Sequence, residues 1–479
     1  MIESLVDLLR RRADHLLLIC DDERLTYAEA DIRSADLARG LVALGAGKGT
    51  HVGLLYPNGA AFVVGALAAA RIGAVVVPFS TVQTAAELMT QLVDSDTEFL
   101  LAAGSFRQHD YRQRLAGIAA PCLRHVLFDP PSAAEPDLTG LEADVDGCDP
   151  LAIIYTSGST GPPKGAVHTH AGLLGHQRNL NAIRGLTASD TVFCTSPFFW
   201  IGGFAFGLLA TIVAGSTLVC SNATDAGETL DLLEAVRPNV ANGFAAAIAH
   251  LTRHPSFADR DLSTLRRGNL YPIMAPDARP SDAELRHNML GMTEAGSVLL
   301  IDGDESDQPE HRSGSFGRPA PGFETKVLDT GELCIRGPYV MQGYYGRSRE
   351  ECFDADGWFH TGDLVRVDED GYVYYLARAG SMIKTAGANV TPGEVQKALA
   401  AQGFVAHVLG LPDAQRGQIV AAVIVSDGPV DTEALRRALR ETLSAYKVPR
   451  RFLVCRPADV PMLSSGKVDM PGLARLFDD

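Results

Sequence analysis

Positive charge is scarce in this chain. Its 479 residues carry 42 Lys and Arg against 58 Asp and Glu, a net charge of −16. That balance excludes a nucleic-acid backbone as a natural partner. The eight cysteines are scattered and no two form a CxxC pair, so the usual zinc spacing is missing and buried thiols in a reducing cytoplasm are expected. The opening MIESLVDLLRRR carries charges early and lacks a cleavable apolar run, so no signal peptide is expected. Internal repeats are absent. Long uncharged runs are nearly absent too. The exception is residues 201–220 (IGGFAFGLLATIVAGSTLVC), just long enough to span a bilayer. Gly202, Gly203, Gly207 and Gly215 break that run, so it reads as a buried core helix followed by a strand rather than a transmembrane segment. The remaining composition, 46% hydrophobic and 21% charged, is that of a globular protein long enough for two or more domains.

Residues 155–167 read YTSGSTGPPKGAV. Small hydroxyl side chains (Thr156, Ser157, Ser159, Thr160) alternate with Gly158, Gly161 and Gly165, and Lys164 follows two prolines. Glycines let a backbone approach an anion closely, and successive N–H groups and hydroxyls can surround phosphate oxygens. A lysine at the end adds a mobile positive charge. The segment fits a polyphosphate, most simply ATP. It is not a Walker A loop, which requires Gly before the lysine, Ser or Thr after it, and a helix opening there. Here Pro163 and Gly165 flank Lys164, and both LAIIY before the loop and GAVHT after it are strand-like. The loop therefore joins two strands. A plain surface turn is the competing reading, since Ser/Gly/Thr/Pro clusters usually are one.

The rest of the chain supplies a rhythm. Residues 26–45 read as a helix with a Thr26/Glu29 capping box and Gly45 at its end. Residues 51–56, 75–78 and 98–102 read as short buried strands separated by helices, which implies parallel sheets covered by helices. From Gly331 the texture changes to short strands and turns (GELCIRG, DGWFHTGD, EDGYVYYLAR), a small β-rich, barrel-like unit. After Ser381 a compact α+β pattern follows, with a strand at 418–426 and a helix at 432–446. The acidic stretch 129–149 reads as an exposed linker. The fold class is α/β. A large N-terminal domain, residues 1–377, is expected to hold mainly parallel sheets and the β-rich unit. A small mobile α+β domain, residues 378–479, is expected to follow, with Gly380 as its hinge.

Five further motifs stand in order: GMTE at 291–294, GELCIRG at 331–337, GWFHTGD at 357–363, Arg378 with NVTP at 389–392, and SGK at 465–467. Together with the glycine loop they resemble the adenylate-forming superfamily of acyl-CoA synthetases, peptide-synthetase adenylation domains and luciferases. The resemblance covers nearly the whole chain from Leu25. It implies an AMP-forming acid–thiol ligase that uses ATP, Mg²⁺ and coenzyme A. A carboxylate attacks the α-phosphate, pyrophosphate leaves, and a thiol then displaces AMP.

By that resemblance Thr156, Ser157, Gly158, Ser159, Thr160, Gly161 and Lys164 would hold the β- and γ-phosphates. Thr293 would touch the α-phosphate, and Glu294, with Thr160, would hold Mg²⁺. Leu290 and Gly291 would border the adenine. Asp363 would accept the ribose hydroxyls, with Arg378 beside them. Lys467 would bridge the attacking carboxylate and the α-phosphate. Thr385, Ala386 and Gly387 would line the path of the CoA pantetheine arm. Each has a plainer reading: Asp363 as a turn residue, Glu294 as a helix-end carboxylate, Arg378 as a surface ion pair, Lys467 as a solvated lysine. The ordered set outweighs these.

The sequence also departs from the family pattern. Leu290 stands where an aromatic usually stacks on adenine. Residues 274–290 are short, as if a strand and part of a helix were missing, and a customary hairpin insertion between Asp329 and Gly331 is absent. Gly380 stands where the pivot usually carries a charge. The usual Gly before the arginine is Ala377, and a Gly-Gly pair is reduced to Ala386-Gly387. Trp200 takes the place of a gate histidine, and the acidic residue of amino-acid-activating domains is not evident near Ile201. Neutral walls from Trp200, Phe204 and Phe244 point to an apolar acid, fatty or aryl. Trp200 is equally well read as core. Two other readings stay open: an acyl-AMP ligase that loads a carrier protein, and a degenerate nucleotide-binding homologue without activity.

Overall fold

The computed structural model describes residues 4–156, 163–385, 388–413, 416–443, 445–463 and 467–478. Ser157, Gly158, Ser159, Thr160 and Gly161 lie outside the described residues, as do Ala386 and Gly387. The chain forms two compact units. One comprises residues 1–324 and 335–359, the other residues 325–334 and 360–479.

The first unit holds two large sheets. In one, the strands run in the order Arg267–Gly268, Val240–Asn242, Thr191–Cys194, Thr217–Cys220, Leu16–Cys20 and Glu23–Thr26. All neighbours are parallel except the last pair. In the other, Pro150–Tyr155, Val75–Pro78, His51–Leu55, Phe99–Ala102 and His125–Leu127 are parallel. The antiparallel strands Gly165–Thr169 and Gly343–Tyr344 extend its edge. The parallel strands are almost continuously buried, as expected where helices cover both faces. The helix Tyr27–Ala43 opens with the anticipated capping box: Thr26 accepts from the Glu29 N–H, and the Glu29 carboxylate accepts from the Thr26 N–H.

Residues 201–220 are a helix and a strand, as read from the glycines. Gly202–Leu209 winds as a π-helix, Ala210–Ala214 continues it, Gly215 turns at φ 72°, and Thr217–Cys220 joins the sheet. Gly203 is required there, because a Cβ would lie 2.0 Å from the Pro197 carbonyl oxygen. Among the described residues no helix is long and apolar enough to cross a membrane.

The acidic stretch 129–149 is not a loose linker. It contains the helix Thr139–Ala143, and Leu138 is buried. The reason is Arg71, whose side chain is only 1% exposed. Its guanidinium donates to Asp31 Oδ1 at 2.6 Å and Ser34 Oγ at 2.8 Å, and also to Glu142. A buried cation needs such partners, so the acidic segment is drawn in.

The second unit contains two sheets. A four-stranded one is ordered Glu324–Val327, Glu332–Arg336, Phe359–Val367 and Val373–Arg378. Its first hairpin is closed by a tight turn in which the Gly331 N–H donates to the Leu328 carbonyl, which accounts for the missing insertion. The other sheet has five strands: Gly417–Val425 lies inside it, antiparallel to the edge strand Val405–Asp413 and paired also with Ile383–Thr385 and Arg451–Cys455. Helices Pro392–Ala401 and Thr432–Thr442 pack their apolar residues into one core with it. The second helix ends four residues earlier than its sequence pattern indicated.

Candidate nucleotide- and acyl-binding site

The strands Pro150–Tyr155 and Gly165–Thr169 pair antiparallel, with Gly165 opposite Tyr155. The residues after Lys164 therefore continue as a strand antiparallel to Pro150–Tyr155 and do not open a helix, which removes the Walker A alternative. The Thr156 N–H donates to the Lys164 carbonyl at 2.9 Å. Gly165 is fixed by crowding: a Cβ would lie 2.5 Å from Ile153 Cγ2.

Lys164 leaves this hairpin half-buried, with Nζ 5.0 Å from the centroid of the Tyr344 ring. Such an ammonium over an aromatic face is attracted by the ring quadrupole. The Tyr344 hydroxyl donates to Glu294 Oε1 at 2.6 Å. Tyr344 lies on the edge strand beside Gly165–Thr169, opposite Ala166. One phenol thus ties the loop lysine to the carboxylate of the GMTE motif, across 130 residues of sequence.

The GMTE segment is held from both sides. Leu290–Met292 pairs antiparallel with Ser297–Ile301, and Thr293–Ala295 makes a short 3₁₀ turn between them. Gly291 is exposed and Leu290 half-buried. His168 lies behind the turn, where burial lowers its pKa to about 4. It is therefore neutral, and its Nε2–H donates to the Thr293 carbonyl at 2.7 Å. The Met341 N–H donates to the Glu294 carbonyl at 2.8 Å. Sequence reasoning missed Tyr344 and His168. Neither has a spacing signal, since both act through strand neighbours far away in the chain.

Among the described residues no group of three His, Cys, Asp or Glu side chains could hold a metal. A lone Glu294 still suits Mg²⁺, which keeps most of its waters and shares its ligands with substrate phosphates.

Of the three aromatics expected to wall an acyl pocket, Trp200 is half-buried and Phe244 is 59% exposed. Their rings meet edge to face at 6.4 Å. Phe204 sits apart from that pair in kind: it is 1% exposed, and its ring contact is with Phe62 at 6.2 Å in the main core. The helical register that follows Trp200 turns Phe204 inward.

In the second unit, Asp363 is 4% exposed and lies opposite Arg378 in the register. Arg378 Nη1 donates to Asp363 Oδ1 at 2.6 Å. The surrounding turn is anchored by Thr361 Oγ1 on the Leu333 carbonyl and by the Gly362 N–H on Glu332. Gly380 stands in the exposed turn Ala379–Ser381, and a Cβ there would meet nothing within 4 Å. Thr385 is 3% exposed at the end of Ile383–Thr385, opposite Gly417. Lys467 is exposed, and its carbonyl accepts from the Leu463 N–H at 2.7 Å.

Residues 7–345 match the model of the AMP-binding enzyme family, and residues 394–467 match that of the AMP-binding enzyme C-terminal domain. The chain belongs to the AMP-binding enzyme family. The resemblance drawn from the ordered motifs is thereby borne out. This AMP-binding enzyme is 33% identical to 3-[(3aS,4S,7aS)-7a-methyl-1,5-dioxo-octahydro-1H-inden-4-yl]propanoyl:CoA ligase of Mycobacterium tuberculosis, covering 98% of this chain and 97% of that one. It is 32% identical to feruloyl-CoA synthase of an Amycolatopsis species, covering 95% and 94%. Among solved structures it resembles ATP-bound MatB of Rhodopseudomonas palustris, with a TM-score of 0.84, 26% identity and 99% of each chain covered. The α/β architecture with mainly parallel sheets is that of the family.

Proposed function

We propose that this enzyme activates an apolar carboxylic acid, aryl, alicyclic or fatty, in a pocket walled by Trp200 and Phe244. The acid is activated with ATP to acyl-AMP and then passed to the thiol of CoA. The observation that carries the reading is the meeting of Lys164 and Glu294 at Tyr344. A loop that cradles phosphates and a carboxylate suited to Mg²⁺ belong together only where a nucleotide triphosphate reacts. The two relatives named above, a CoA ligase and a CoA synthase, both carry ring-bearing acids in their names, which supports a roomy acyl pocket.

In the first step a carboxylate oxygen forms a bond to the α-phosphorus, and the bond to the pyrophosphate oxygen breaks. Residues 156–161 and Lys164 hold the departing β- and γ-phosphates, and the Thr293 hydroxyl meets the α-phosphate. Glu294 and Thr160 would hold Mg²⁺, which would supply positive charge to the phosphate oxygens. Lys467 joins the two anionic reactants, Asp363 takes the ribose hydroxyls beside Arg378, and Leu290 and Gly291 border the adenine. In the second step the CoA sulfur bonds to the acyl carbon and AMP leaves. Residues 378–479 turn about Gly380 between the steps, so that Thr385, Ala386 and Gly387 line the pantetheine path. Glycine absorbs the φ/ψ change of such a pivot. We place the enzyme in the cytoplasm, where cysteines that form no disulfide are at home.

Chromatography of the products tests this. Incubation with MgATP, CoA and a panel of acids should yield AMP, pyrophosphate and a thioester. ADP in place of AMP would overturn the reading. Adenylate without thioester, relieved by a carrier protein, would reassign the acceptor.

A further inference from the structure

The ladder that carries Asp363 and Arg378 is irregular. Asp363 stands opposite Arg378 and Leu364 opposite Ala377, but Val365 stands opposite Tyr375. The strand Val373–Arg378 therefore holds one extra residue, a β-bulge at Leu376. In an unbroken ladder Leu376 would oppose Val365, and Tyr375 would oppose Arg366. Side chains alternate between the two faces along a strand, so Tyr375 would then point away from Asp363. The bulge turns it back. Tyr375 shares the face of Val365, and Val365, two residues on from Asp363, shares the face of the Asp363–Arg378 pair.

The neighbouring tyrosine shows the contrast. Tyr374 keeps to the opposite face, where its hydroxyl donates to Asp368 Oδ2 at 2.9 Å and the Arg366 guanidinium lies 3.9 Å from its ring centroid. Tyr374 is 7% exposed, whereas Tyr375 is 37% exposed. Burial raises the pKa of the Tyr375 phenol, the charge of Asp363 raises it further, and Arg378 lowers it. The phenol thus lies within electrostatic reach of both members of the pair. Bulges recur beside functional sites because they re-aim a side chain. Here the re-aimed side chain is a partly open aromatic ring next to a buried carboxylate. A ribose offers hydroxyls to an acceptor such as Asp363. It also offers a C–H surface, which an aromatic ring covers well.

We propose that the Tyr375 ring lies against the ribose of the nucleotide and walls the sugar whose hydroxyls Asp363 accepts. The assignment rests on Asp363 being the ribose acceptor.

Calorimetry with AMP tests it. Tyr375→Ala should weaken AMP binding at least about fivefold, while Tyr375→Phe, which keeps the ring, should stay within about twofold of wild type. In steady-state kinetics Tyr375→Ala should raise KM for MgATP and leave KM for the acid in place, a split that a merely structural role would not give. Hydroxyl-radical footprinting of the wild-type protein reads the contact without any substitution: saturating AMP should protect Tyr375. If Tyr375→Ala fails to fold, the footprint decides. Unchanged AMP affinity in Tyr375→Ala, or a ring that AMP leaves unprotected, would overturn the assignment. Should Asp363→Asn weaken AMP in the same calorimetry, the ribose acceptor stands without Tyr375. Should neither substitution matter, both readings fall.

Discussion

Tyr344 donates its phenolic hydrogen to Glu294 across 2.6 Å, and the same ring carries the Lys164 ammonium on its face. A hydrogen bond to a carboxylate is short and roughly twice as strong as a neutral one. Tyr344 is thus a positioning residue for two groups at once. Tyr344→Phe keeps the aromatic face but loses the donor, so kcat/KM for MgATP should fall about tenfold. A rise in the Mg²⁺ concentration needed for half-maximal rate should accompany it. Tyr344→Leu should cost more, because Lys164 then loses its platform as well. Steady-state kinetics across a Mg²⁺ titration distinguish the two.

Asp363 is buried and paired to Arg378. Asp363→Asn should weaken AMP binding at least tenfold by calorimetry, since an amide offers one acceptor where a carboxylate offers two. Melting temperature should move only a few degrees, because Arg378 is half exposed and remains hydrated.

Lys467→Ala should abolish adenylation by two or more orders of magnitude, the scale of removing a group that neutralises charge in the transition state. Thioester formation from supplied acyl-AMP should persist within about threefold, because that step does not need this lysine. Equal loss of both half-reactions would count against the pivot at Gly380.

His168, His170 and His176 are buried, and burial lowers each pKa to about 4. In the unfolded chain they titrate near 6.5. The folded state therefore excludes protons that the unfolded state binds between these values. Stability is full above pH 6.5 and is lost as the pH falls towards 4, by up to about 1.4 kcal/mol per pH unit for each histidine. Urea titrations from pH 7 to pH 4.5 should show that slope. His176→Phe should reduce it by about one third, since the ring stacks on Tyr339 at 5.0 Å and aromatic packing can be kept.

Much of this molecule was legible from local pattern. The capping box at Thr26, the buried strands at 51–55, 75–78 and 99–102, and the hairpin around the glycine loop all follow from alternation, caps and turn residues. Those signals act over a few residues. The role of Tyr344 was not legible, because it depends on which strand becomes the edge neighbour of Gly165–Thr169. The acidic stretch around Glu142 looked solvated for a similar reason: the buried Arg71 that draws it in lies 71 residues away in sequence. Phe204 could not be placed by composition either, since a π-helix shifts the register after Trp200 and sends that ring into the core.

Exchange of labelled pyrophosphate into ATP reads the adenylation step by itself. With Mg²⁺ and a suitable ring-bearing acid, label should enter ATP, and it should vanish when the acid is withheld or when Lys164 and Glu294 are replaced together. Exchange that proceeds equally without any acid, or that is untouched by the double replacement, would contradict the account.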